Sequence, residues 1–159
     1  DMGFDEFSDA VIDYSNREFP GFAFTDVGDP AGKARMATDE SSCYDILRRK
    51  KRLCRAAPTN ALIPRLESVK RRLTKSAKGN PMTVIDPRCK RLIDGFSGGY
   101  RYCDRGNTGT FADTPEKNIY SHVHDSVQYI ALHLFGYAEK NVKLMTEPLP
   151  RQAGAVLNA

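Results

Sequence analysis

The chain has 159 residues, 40% of them hydrophobic and 28% charged, which is the composition of one ordinary globular domain with a single core. No apolar run approaches the roughly 18 residues a membrane-spanning helix needs, and the first residues lack the charged-then-apolar order of a secretion signal. The net charge of +4 conceals an asymmetry: residues 1–47 carry three Lys/Arg against eleven Asp/Glu, whereas residues 48–91 carry fifteen against two. A middle segment that basic points to a polyanionic partner, with nucleic acid ahead of a merely solvated face.

In chain order, Phe4, Phe7, Val11 and Tyr14 recur at helical spacing and predict an amphipathic helix over residues 4–19, ending before Pro20. Phe22 to Val27 reads as a strand stopped by the turn Gly28-Asp29-Pro30-Ala31-Gly32. Thr38 and Asp39 are candidate caps for a helix through Leu47 that runs into Arg48-Arg49-Lys50-Lys51-Arg52. Leu53 to Ala57 is a short strand, and Ala61 to Ala77 a helix with Leu62, Leu66, Val69 and Leu73 on one face. Its other face is expected to display Arg65, Lys70, Arg72 and Lys75. Met82 to Ile85 is expected to be a short strand, and Asp86-Pro87 to open a helix through Ile93. Gly95 to Gly99 is a turn, and Tyr100 to Cys103 pairs with Thr110 to Ala112. The last helix spans Ser121 to Phe135, with Val127, Ile130, Ala131, Leu134 and Phe135 on its core face. Residues 138–159 show no periodicity and read as a tail. Strands alternating with helices make this an α/β chain.

Two carboxylates carry the chemistry. Asp29 ends a strand, and Asp125 lies one turn inside the last helix, after His122 and His124. Acids brought by different elements to one sheet edge are what a divalent-metal site for phosphodiester chemistry requires. Alone, Asp29 would be an ordinary turn residue bonding nearby amides. Lys33 and Arg35 beside it, Lys117 and Asn118 before the last helix, and Lys70 and Arg72 are placed to meet backbone phosphates. His122 and His124 lack the spacing of a zinc pair; His122 is expected to cap or pack, and His124 to tune Asp125 or touch a phosphate. The four cysteines form no C-x-x-C pair, so reduced thiols in a cytosolic protein are expected. Gly95-Phe96-Ser97-Gly98-Gly99 lacks the lysine of a P-loop, so no ATPase motif is present.

With these residues in hand, the chain resembles the C-terminal nuclease domain of a tailed-bacteriophage terminase large subunit, a DNA-packaging motor protein. The resemblance rests on Phe19-Pro20-Gly21, Gly28 to Gly32 with Thr38-Asp39-Glu40, Asp86-Pro87-Arg88-Cys89, Gly95 to Tyr100, and Lys117 through Tyr129. These fall in the family's order and cover residues 1–137. The last is specific; the glycine turn alone is weak.

The resemblance implies an RNase H-like fold, a central mixed sheet flanked by helices. It also implies an endonuclease that cleaves concatemeric double-stranded viral DNA with two Mg²⁺ or Mn²⁺ ions. Asp29 and Asp125 match two acids of the family's metal cluster. A further acidic ligand comes, in the family, from a strand preceding the first helix here, and Asp1, Asp5 and Glu6 do not match it. The implied chain is therefore a partial domain, with its sheet incomplete at the N-terminal edge. Portal protein and small terminase subunit are the implied partners, and the host cytoplasm the implied location. The alternative expectation is a non-catalytic DNA-binding or motor-docking fragment.

Overall fold

The computed structural model describes residues 2–34, 41–74, 76–77, 80–106 and 109–136. Thr38, Asp39, Arg35, Lys75 and the expected tail over 138–159 lie outside them. In chain order the elements are α1 (Phe4–Glu18), β1 (Thr25–Gly28), a 3-10 turn (Pro30–Lys33), α2 (Cys43–Arg49), β2 (Leu53–Ala56) and α3 (Leu62–Thr74). Then come β3 (Ser76–Ala77), β4 (Asn80–Pro81), α4 (Lys90–Asp94), a wide helical turn (Gly95–Gly99), β5 (Tyr102–Asp104), β6 (Phe111–Pro115) and α5 (Ser121–Phe135). The architecture is mixed α/β with small sheets. β1 pairs with β2 in parallel, and β3–β4 and β5–β6 are antiparallel; among the described residues no sheet exceeds two strands. No helix among them is long and apolar enough to cross a membrane.

The β1–β2 register runs from Thr25 opposite Leu53 to Gly28 opposite Ala56, and Ala57 N–H extends it by donating to the Gly28 carbonyl at 3.0 Å. Parallel neighbours require a crossover, and α2 supplies it. That helix starts on a reciprocal cap: Ser42 Oγ accepts from Asp45 N–H at 3.2 Å, while Ser42 N–H donates to Asp45 Oδ2 at 3.1 Å. Two cations, Arg48 and Arg49, occupy its last turn, as expected from the macrodipole. Helix α5 then packs on β1 and against α3 and α4; the buried apolar residues are Ile46 of α2, Ala57 after β2, Leu92 of α4, and Tyr129, Ala131 and Leu132 of α5 itself.

Several expectations shift. Strand β1 is shorter than residues 22–27, because Phe22 stays exposed and only its ring edge meets Phe19. The buried stripe of α1 is Ser8 and Ser15, with Phe7 and Tyr14 left half-exposed. Small hydroxyls allow close approach there, and each satisfies itself on a helical carbonyl, Asp5 O and Val11 O, both at 2.7 Å. Residues 82–85 are not a strand. Asp86 does not open a helix either: its carboxylate accepts from Arg88 N–H at 2.8 Å and is gripped by the Arg88 guanidinium, which closes a turn and delays α4 to Lys90. The long helix stops at Thr74, three residues early, where β3 begins.

Candidate functional site

Asp29 follows the last residue of β1 and caps the 3-10 turn, its Oδ1 accepting from Ala31 N–H at 2.9 Å. Its carbonyl accepts from the Tyr44 hydroxyl at 2.9 Å, which ties the turn to α2. Gly28 is required by this approach, since a Cβ there would lie 2.8 Å from the Tyr44 hydroxyl oxygen. Burial raises the Tyr44 phenol to a pKa of about 12, helped by the neighbouring Cys54, Asp29 and Cys43, so it remains a donor at any physiological pH.

Asp125 projects from the second turn of α5 and is mostly buried, its side chain 17% exposed. Both oxygens are engaged: Oδ1 accepts from Arg65 Nη1 at 3.1 Å, and Oδ2 from Lys117 Nζ at 3.0 Å. One turn further on, the buried Tyr129 hydroxyl donates to Asn60 Oδ1 at 2.6 Å. Burial pushes this phenol's pKa up most, the nearby Asp29 carboxylate next; Arg65 opposes, and the charge of Asp125 adds to the rise. The Arg65 guanidinium also lies over the Tyr129 ring, 4.7 Å from its centroid. The charges of Asp29, after β1, and of Asp125, in α5, thus both bear on the same phenol, while α3 contributes the cation bonded to Asp125.

Two carboxylates suit a hard divalent cation, which commonly keeps most of its waters and takes only one or two protein acids. Among the described residues, no group of three His, Cys, Asp or Glu converges on one point. Of the two oxygens of Asp125, Oδ2 is the available one. Its partner Lys117 is a mobile-stemmed, 77% exposed side chain, whereas Arg65 is 8% exposed and fixed. Asp125 Oδ2 fits such a cation on condition that it displaces the Lys117 ammonium.

The remaining candidates divide. Lys33 is exposed on the turn after Asp29 and Lys117 lies on Asp125, while Arg35 falls outside the described residues. Lys70 is exposed beside Glu67 at 3.7 Å. Arg72 lies flat over the Phe135 ring, 3.8 Å from its centroid, and so covers apolar surface. Asn118 is consumed in shaping the start of α5, bonding Gly99 O and Tyr120 N–H at 2.9 Å each. His124 does not reach a phosphate: it is 3% exposed, stacked on Tyr100 at 4.6 Å and edge-on to Phe96 at 4.5 Å. Burial lowers its pKa, against a hydrogen bond with the Leu92 carbonyl and the charge of Asp125. Gly95 makes room for it, because a Cβ there would fall 2.0 Å from His124 Nε2. His122, by contrast, is exposed and neither caps nor packs.

Arg65 is the residue that sequence reasoning misplaced. It lies three positions after Leu62 and four before Val69, within the apolar stripe and not opposite it, and that spacing was the available signal. Compared with protein-family models, with curated proteins and with solved structures, the chain matches none.

Proposed function

We propose that this chain is the nuclease region of a tailed-bacteriophage terminase large subunit. In this reading it is an RNase H-like domain that hydrolyses concatemeric double-stranded viral DNA during genome packaging. The observation that carries the reading is the pair of carboxylates placed by different elements, Asp29 after β1 and Asp125 in the second turn of α5, whose charges both bear on the Tyr129 phenol. The ordered motifs from Phe19 to Tyr129 support the same assignment, and the parallel β1–β2 pair crossing through α2 is a unit such a sheet contains.

Asp29 and Asp125 would hold Mg²⁺ or Mn²⁺, which when bound activates water for attack on phosphorus and stabilises the departing oxygen. The chain's own groups prepare that chemistry. Arg65 fixes the orientation of the Asp125 carboxylate, and the Ala31 N–H fixes that of Asp29. Lys117, once released from Oδ2, offers its ammonium to a non-bridging phosphate oxygen. In the family a third acid comes from a strand before the first helix, and a two-acid site is expected to work slowly. Portal protein, small terminase subunit and a host-cytoplasmic setting follow from the same reading as partners and location.

The test is nicking of supercoiled plasmid with Mn²⁺ by the 159-residue chain. Slow cleavage is expected, abolished by Asp29→Asn and by Asp125→Asn alike. If Asp125→Asn nicks as fast as the unaltered chain, the assignment is wrong.

One observation favours a second reading. Asp125 is already neutralised by two cations, which is how a structural ion pair is built, and a non-catalytic DNA-binding or motor-docking module would need nothing more. Duplex binding without cleavage under any divalent metal would select that reading.

A further inference from the structure

A second feature lies on the other side of the Asp29 turn. Lys33, Ser42, Tyr44, Asp45, Arg48 and Arg55 surround an open hollow of about 500 Å³. Three elements build it: the 3-10 turn, the start of α2 and the outer edge of β2. Its polar groups divide into those already committed and those still free. The Tyr44 hydroxyl donates to Asp29 O, and Ser42 Oγ is engaged with Asp45. Asp45, the one acid on the wall among the described residues, accepts from Ser42 N–H, from Ser42 Oγ at 2.7 Å and from Arg48 Nη1 at 2.8 Å, so its charge is answered locally. What stays available is cationic. Lys33 and Arg55 are exposed and have no ionic partner among the described residues, and Arg48 uses one nitrogen on Asp45 with its side chain 77% exposed.

Three cations around one locally neutralised carboxylate select an anion, and guanidinium forks match the paired oxygens of a phosphate. The hollow also shares a wall with the candidate metal site, because Tyr44 lines the one and holds the carbonyl of Asp29 in the other. We propose that this hollow binds a backbone phosphate of duplex DNA through Lys33, Arg48 and Arg55, holding the strand beside the phosphodiester presented to Asp29 and Asp125. The choice of duplex DNA over a free phosphate rests on the nuclease reading; the anion site itself does not.

The experiment measures duplex DNA binding by fluorescence anisotropy across a salt series, for the unaltered chain, Lys33→Ala/Arg55→Ala and Lys33→Arg. Both altered side chains are exposed, and a thermal melt checks that each variant folds as the parent does. The plot of log affinity against log salt should flatten by about 1 for each cation removed, and Lys33→Arg should keep the parental slope. An unchanged slope in the double variant overturns the proposal. Calorimetry with inorganic phosphate separates the sources: phosphate binding lost in the double variant, with no duplex binding by the parent, overturns the duplex assignment. Plasmid nicking is read in parallel with Asp125→Asn. A flattened slope alongside absent cleavage supports the hollow while the nuclease reading fails; parental slope alongside Asp125-dependent cleavage does the reverse.

Discussion

At the scale of single residues, Arg65 links the candidate site to the core. Its guanidinium is buried, bonded to Asp125 and stacked on Tyr129, so it joins the acid of α5 to the face of α3. Removing one member of such a pair leaves the other charge buried without its partner. Arg65→Met should therefore destabilise the fold by about 3 kcal/mol in a urea melt. In a double-mutant cycle with Asp125→Asn, most of that cost should vanish. Additive losses would mean that the two side chains do not support each other. The positions of the carboxylates were legible in the sequence, Asp29 where the strand gives way to a glycine turn and Asp125 one turn into the last helix. Arg65, Tyr129 and Asn60 were not, since their part depends on how α3 lies across α5, a tertiary contact between residues about 60 positions apart. His124 was misjudged for a related reason: whether an imidazole beside an acid faces solvent or core is decided by the partner helix, here the close approach of Gly95.

At the scale of elements, α2 places Tyr44 and thereby the Asp29 turn, and its seven residues are too few to be stable without a good start. Ser42→Ala should cost about 1 kcal/mol by removing the side-chain acceptor of the capping box. The partner of that cap titrates. Hydrogen bonds from Ser42, foremost, together with Arg48 hold the Asp45 carboxyl below its ordinary range despite some desolvation. A depressed folded-state pKa means stability that is present above the unfolded value near 3.9 and lost as pH falls through the folded one. The gap in melting temperature between the parent and Asp45→Asn should accordingly be clear at pH 7 and close as the solution is acidified below pH 4. A gap that persists at low pH would show that the amide loses something other than the charged cap. Element type and order were mostly readable from periodicity; α5 runs from Ser121 to Phe135 as expected, but its buried face is His124, Gln128, Tyr129, Ala131 and Leu132, while Ile130 and Leu134, expected on the core face, are exposed. Boundaries failed where a polar side chain had two local options, as at Asp86, whose neighbour Arg88 draws it into a turn.

At the scale of the molecule, the charge asymmetry has partly folded back on itself. Lys50 reaches Asp5 and Asp9 on α1, Arg52 grips Asp26 on β1, and Arg88 approaches Glu18. Part of the basic middle segment thus neutralises the acidic first segment, and among the described residues the cations around the Asp29 turn are some of those left for a polyanion. The same packing leaves large apolar side chains at the surface, Phe7, Phe22, Ile63, Val84, Phe111 and Leu134 among them. Exposure on this scale should show as concentration-dependent self-association in sedimentation and as binding of a hydrophobic fluorescent dye at neutral pH. A strictly monomeric chain that binds no dye would contradict that arrangement. The proposal that Asp29 and Asp125 hold divalent cations in competition with Lys117 is tested most directly by titrating Mn²⁺ into the 159-residue chain under electron paramagnetic resonance. The expected result is weak binding that Asp29→Asn and Asp125→Asn each remove and that Lys117→Ala tightens. Titrations that are the same in all four proteins would contradict it.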